Sequence, residues 1–163
     1  MRKLVPIMIC VAVWVAPATA RAARATECTA INVCYCVEQD LKAAIDGNVA
    51  KIRQVIAEQK AEGKAVGYMS VPLSTFAGGY FALNSEIAAQ IKTAVEKRFG
   101  AKSLWILNPA APAFSLPSNA SGADYMLMWT RVLEGAGGFG EDFDFFHFVG
   151  PSCLLYTSPS PRD

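Results

Sequence analysis

Between Lys64 and Asn84 the chain reads KAVGYMSVPLSTFAGGYFALN, so a phenol and two hydroxyls, Tyr68, Ser70 and Ser74, fall at the end of a short apolar run and in the Ser/Gly-rich loop behind it. These groups donate and accept hydrogen bonds, and Gly78 and Gly79 let backbone approach a ligand closely. They point to a site but to no reaction. Asn84, Asn108, Ser121 and Asp124 complete the candidate ligand-binding set, because each stands where a strand gives way to a loop or a loop opens a helix. Loops leaving the carboxyl ends of parallel strands line a crevice, and helix N-termini offer N–H groups to it.

Other chemistry-bearing patterns fail on their context. Gly135-Ala136-Gly137-Gly138-Phe139-Gly140 matches G-x-G-x-x-G, yet it leaves a helix and enters a strand, the reverse of a dinucleotide fingerprint, and reads as a connector. The single His147 lies between Phe146 and Phe148 inside an apolar run, where a buried core histidine is expected, and there is no G-x-S-x-G elbow. Metal ligands do not converge, so neither metal nor cofactor is expected. Asn119-Ala120-Ser121 fits a glycosylation acceptor that only a eukaryotic secretory route would use. The disulfide candidates are Cys28, Cys34 and Cys36: Cys28 is expected to pair with Cys34 or with Cys36, since a Cys34–Cys36 bridge would be strained.

The elements that must position these residues follow from periodicity. Glu38 to Glu62 carries Leu41, Ile45, Val49, Ile52 and Ile56 on one helical face, interrupted by Gly47-Asn48 at a cost of about 1 kcal/mol for the glycine, enough to permit a break or kink there. Ala65 to Val71 reads as a strand covered on both faces and halted by Pro72. Asn84 is expected to cap a helix whose Ile87, Ile91, Val95 and Phe99 recur every four residues, and Ser103 to Leu107 is a second strand stopped by Asn108-Pro109. After the loop at 109–122, Ser121 and Asp124 form an S-x-x-D capping signal for a helix through Glu134, and Phe143 to Val149 is a third strand. Strand, helix, strand, helix, strand in this rhythm predicts an α/β fold: a three-layer, Rossmann-like or flavodoxin-like parallel sheet with a βαβαβ core preceded by a helix.

Both ends read differently from this middle. Arg2 and Lys3, the apolar run Leu4 to Ala16 and the small residues before Ala20 form a signal-peptide pattern over 1–20, with cleavage expected after Ala20. Export to a bacterial periplasm or beyond is then expected, with no stable membrane insertion after cleavage. Residues 153–163, CLLYTSPSPRD, resemble the translation of a sequencing-adapter tail of the kind found at the ends of metagenomic reading frames, so the natural protein is expected to continue past Ser152. That leaves a Cys-containing leader at 21–37, its first residues to Thr26 without regular structure, and a single α/β domain at 38–152, incomplete at its C-terminus. Of the 15 Lys and Arg, Arg2, Lys3 and Arg162 lie in the ends, as does Asp163 of the 14 Asp and Glu, so charge in the middle is nearly balanced. No basic stripe appears, which argues against a nucleic-acid partner.

Gly67-Tyr68-Met69-Ser70-Val71-Pro72-Leu73, Asn84 opening a helix, and a strand closing on Asn108-Pro109 together resemble the start of the nucleoside 2-deoxyribosyltransferase-like group. In that group a Y-x-x-G-P-x strand precedes a helix and the next strand ends near N-P. The resemblance covers Val66 to Pro109, with Val71 standing where the group has glycine. It implies a nucleoside-processing or glycosyl-processing enzyme whose nucleophilic glutamate would follow the third strand, beyond Ser152. The expectation from the residues themselves is an exported α/β protein that binds a small polar ligand at the strand carboxyl rim.

Overall fold

The computed structural model describes residues 23–71, 73 and 81–150. The signal-peptide pattern at 1–20, Pro72, Ser74 and the adapter-like tail lie outside the described residues.

A helix α1, Lys42–Ala61, follows a 3-10 turn at Gln39–Leu41. Its apolar face, Ile45, Val49, Ile52 and Ile56, is buried. No break occurs at Gly47-Asn48. Gly47 has open space where a Cβ would stand, and the Asn48 side-chain amide reaches out of the helix to donate to the carbonyls of Phe114 and Ser115, both at 3.3 Å. Gly63 reverses the chain with φ 78° and delivers it to the central strand β3, Ala65–Ser70.

Three strands form a parallel sheet. β3 is flanked by β4, Leu104–Leu107, and β5, Phe145–Phe148, in the order β4-β3-β5, with Val66 opposite Trp105 and Tyr68 opposite Phe146. Helix α2, Phe81–Phe99, links β3 to β4, and α3, Gly122–Glu134, links β4 to β5. Strand alternation sorts the core into two. Val66, Tyr68, Trp105 and Leu107 face α1 and α3, whereas Met69, Leu104 and Ile106 face Ala88, Ile91 and Val95 of α2. Helices therefore cover both faces, as the sequence rhythm predicts for an α/β chain. Asp144 pins the start of β5: its Oδ2 accepts from the Val66 N–H at 2.7 Å while its own N–H donates to the Val66 carbonyl at 2.8 Å.

Three expectations need correction. The leader at 21–37 contains a regular element, an antiparallel hairpin of β1, Arg24–Cys28, and β2, Cys34–Glu38, tied by a Cys28–Cys34 disulfide. Its inner side chains are few and partly polar, so the strand signal in the sequence is faint. Tyr35 reaches Thr130 through an O–H···O contact of 2.8 Å, and Glu27 meets Arg131 at 3.1 Å. Asn84 is not an N-cap: α2 already runs from Phe81, and Asn84 sits fully buried inside it, donating to the Leu73 carbonyl at 2.7 Å. His147 is half-buried rather than buried, because β5 lies at the margin of the sheet.

Candidate functional site

Because β3 connects through α2 to one neighbour and β4 connects through α3 to the other, chain direction diverges between β3 and β5. In open α/β sheets this divergence at the carboxyl ends is where ligands settle. Ser70 and Val149 stand there, joined by the Val149 N–H donating to the Ser70 carbonyl at 2.9 Å. Ser74, expected in the loop above them, lies outside the described residues.

Tyr68 is half-buried beneath this rim. Its ring is edge-packed among Trp129, Phe143 and Phe146 at centroid distances of 6.1, 5.6 and 6.1 Å. Burial pushes its phenol up to about 12. Ser121 and Asp124 meet at the start of α3, where Asp124 accepts from the Ser121 N–H at 2.7 Å and from its hydroxyl at 2.6 Å. The other Asp124 oxygen accepts from the Glu38 N–H at 3.0 Å, tying α3 to the end of β2. Burial acts to raise this carboxyl, yet the hydrogen bonds from Ser121 and Glu38, with Arg24 nearby, hold it below the usual aspartate range.

Asn108 lies on a cleft. Its Oδ1 accepts from the Ala110 N–H at 3.0 Å, turning the chain out of β4 along one wall of a cavity of about 570 Å³. Trp105, Ala111 and Phe114 give that cavity its apolar surface, and Ser85, Glu86 and Thr93 of α2 give it polar edges. The volume falls within the ~300–1,000 Å³ typical of small-ligand sites, and an apolar wall with a few polar groups is their usual composition. Lys92 stretches across this edge, its ammonium 5.0 Å from the Trp105 ring centroid and 2.8 Å from the Ile106 carbonyl, and it also pairs with Glu96.

Of the residues singled out in the sequence, then, Ser70 stands at the carboxyl end of β3 and Asn108 on the β4 cleft. Tyr68 is half-buried against the core, Asn84 is inside α2, and Ser121 with Asp124 brace the start of α3. Trp105, Phe114, Ser85 and Thr93 escaped notice because nothing local marks them; only the packing of α2 beside β4 brings them together.

The glycine-rich connector has a visible structural role. Gly135, Gly138 and Gly140 take φ of 72°, 81° and 72°, and the loop closes on the Glu141 carboxylate, which accepts from the N–H groups of Gly137 at 2.6 Å and Phe139 at 3.1 Å. The φ at Gly135 favours glycine, and a Cβ there would meet that carboxylate at 2.5 Å and displace it from the loop it closes. The Gly137 N–H first, with the backbone N–H groups of Glu141 and Phe139, holds the Glu141 carboxyl below its usual range. The motif is filled by the protein's own carboxylate.

Among the described residues no group of three or more His, Cys, Asp and Glu is placed to hold a metal ion, and no helix is long and apolar enough to cross a membrane. Comparisons with protein-family models, with curated proteins and with solved structures find no match. What the geometry defines is an α/β protein with helices on both faces of a small parallel sheet and a cleft at the carboxyl end of β4.

Proposed function

We propose that this chain is an exported α/β protein of Rossmann-like or flavodoxin-like type that binds a small amphipathic ligand at the carboxyl rim of its sheet. The observation that carries this is the β4 cleft: an apolar wall of Trp105, Ala111 and Phe114 beside the hydroxyls of Ser85 and Thr93 and the Glu86 carboxylate. Such walls suit a molecule with one flat apolar face and several hydroxyls, and a nucleoside-like compound, the class implied by the resemblance of 66–109, has that form. The Cys28–Cys34 disulfide accords with an oxidising compartment.

Titration with nucleosides and simple sugars, followed by amide shifts, tests the reading. Shifts at Ser85, Glu86, Thr93 and Asn108 are expected, and Trp105→Ala should weaken them at least about tenfold, as losing a buried aromatic contact of ~1.5 kcal/mol would. Shifts at Ser70, Val71, Val149 and Gly150 instead would move the ligand to the divergence between β3 and β5. Absence of shifts at both places, with every class tried, would overturn the proposal.

A further inference from the structure

The hairpin carries three sulfurs on one face. Alternation along β1 and β2 turns Ala25, Glu27, Tyr35 and Val37 inward and leaves Cys28, Cys34 and Cys36 exposed, with Thr26 opposite Cys36 and Arg24 opposite Glu38 on the same outer side. Cys28 and Cys34 are bonded, and Cys36 is a free, exposed thiol one pleat further along β2. Diagonal neighbours on an antiparallel ribbon have Cα atoms about 7–8 Å apart. Disulfides span about 4.4–6.8 Å, so a small slide of β2 along β1 brings Cys36 within reach of Cys28.

We propose that Cys36 is the attacking thiol of a thiol–disulfide exchange site built into this hairpin. The Cys36 thiolate attacks Cys28 Sγ, a Cys28–Cys36 bond forms as the Cys28–Cys34 bond breaks, and the electron pair leaves on Cys34, which takes up the proton that Cys36 gave to solvent. Nothing is oxidised or reduced overall, so no further reagent is needed. The charged groups on that outer face are Arg24 and Glu38, paired at 2.6 Å.

The turn between the strands holds the first register. Glu134 at the end of α3 accepts from the N–H groups of Ala30 at 3.1 Å and Ile31 at 3.3 Å, and the Thr29 hydroxyl lies 3.4 Å from the Val33 N–H it accepts from. Sliding β2 disturbs this turn, so Glu134 biases the hairpin toward the Cys28–Cys34 form. Glu134 is thereby a positioning residue for the exchange, acting through the turn.

The experiment uses the full oxidised chain, incubated at pH 6, 7 and 8, quenched with acid, alkylated, and cut with chymotrypsin after Tyr35. In the Cys28–Cys34 form the fragment bearing Cys36 is released alkylated; in the Cys28–Cys36 form it stays linked to the fragment bearing Cys28. Both forms are expected, with the approach to their balance quickening as pH rises, since only thiolate attacks. Glu134→Gln, which removes one carboxylate acceptor, should raise the Cys28–Cys36 share several-fold. Cys34→Ser, oxidised in the same buffer, should close Cys28–Cys36. Finding Cys28–Cys34 alone at every time and pH in the unaltered chain, or a bond from Cys36 to Cys10 or Cys153 in place of Cys28, would overturn the proposal whatever the variants do.

Discussion

Asp124 shows how one side chain can hold two elements together. It is fully buried, and both of its oxygens are occupied, one by the backbone N–H and hydroxyl of Ser121 and the other by the Glu38 N–H. Asp124→Ala should therefore cost about 1–3 kcal/mol, the penalty for leaving buried donors without an acceptor, and urea unfolding at pH 7 would read it. Because the folded-state carboxyl is held below its ordinary value of 3.8, its contribution is complete above that value and fades as pH falls through the lower folded value. The gap between unaltered and Asp124→Ala chains should narrow in acid. Tyr68 gives the opposite case: its phenol is raised from 10.0 to about 12, so the unfolded chain ionises first and stability should fall as pH climbs from 10 toward 12. The S-x-x-D signal at Ser121 was legible because capping is a local interaction. Asn84 was misread because the residue types that cap helices also make buried tertiary hydrogen bonds, and only the fold distinguishes the two.

Among the elements, the long helices and the parallel strands could be read from period alone, whereas the hairpin could not. Arg24–Cys28 and Cys34–Glu38 put only Ala25, Tyr35 and Val37 on their apolar side, and what secures the ribbon is a disulfide plus contacts to Thr130, Arg131, Asp124 and Glu134, all far away in sequence. The protection of β4 is equally invisible in the sequence. Its outward groups at Ile106 are satisfied by α2, the N–H donating to Glu96 at 2.9 Å and the carbonyl accepting from Lys92 at 2.8 Å. An edge strand with such groups unpaired is a template for association. Glu96→Ala should strip this cover, costing about 1–3 kcal/mol for the stranded N–H. It should also increase self-association, measurable by light scattering over a concentration series; unchanged mass at every concentration would show that the pair does not guard the edge.

At the scale of the whole molecule the two edges of the sheet are unlike. The α/β class was legible because strands and helices alternate in order. The strand order β4-β3-β5 was not, since each strand is a short apolar run with nothing local to name its neighbour. That order places β5 opposite the guarded edge. Among the described residues no strand pairs with its far side, and its outward ring positions are left bare, Phe146 at 47% exposure and Phe148 at 75%. Phe146 still touches the Tyr68 ring and so contributes to the core, but Phe148 does not figure in that aromatic cluster. Exposed aromatic surface along an unpaired strand favours association without stabilising the folded monomer. Phe148→Lys should consequently leave the urea midpoint nearly unchanged, within the ~0.5 kcal/mol usual for an exposed position, while reducing self-association in sedimentation experiments. Phe146→Lys should reduce association too, but at a cost in stability, because it removes a ring packed on Tyr68 and Phe143. If Phe148→Lys unfolds as readily as Phe146→Lys, Phe148 is covered in the folded protein and β5 does not present an open edge.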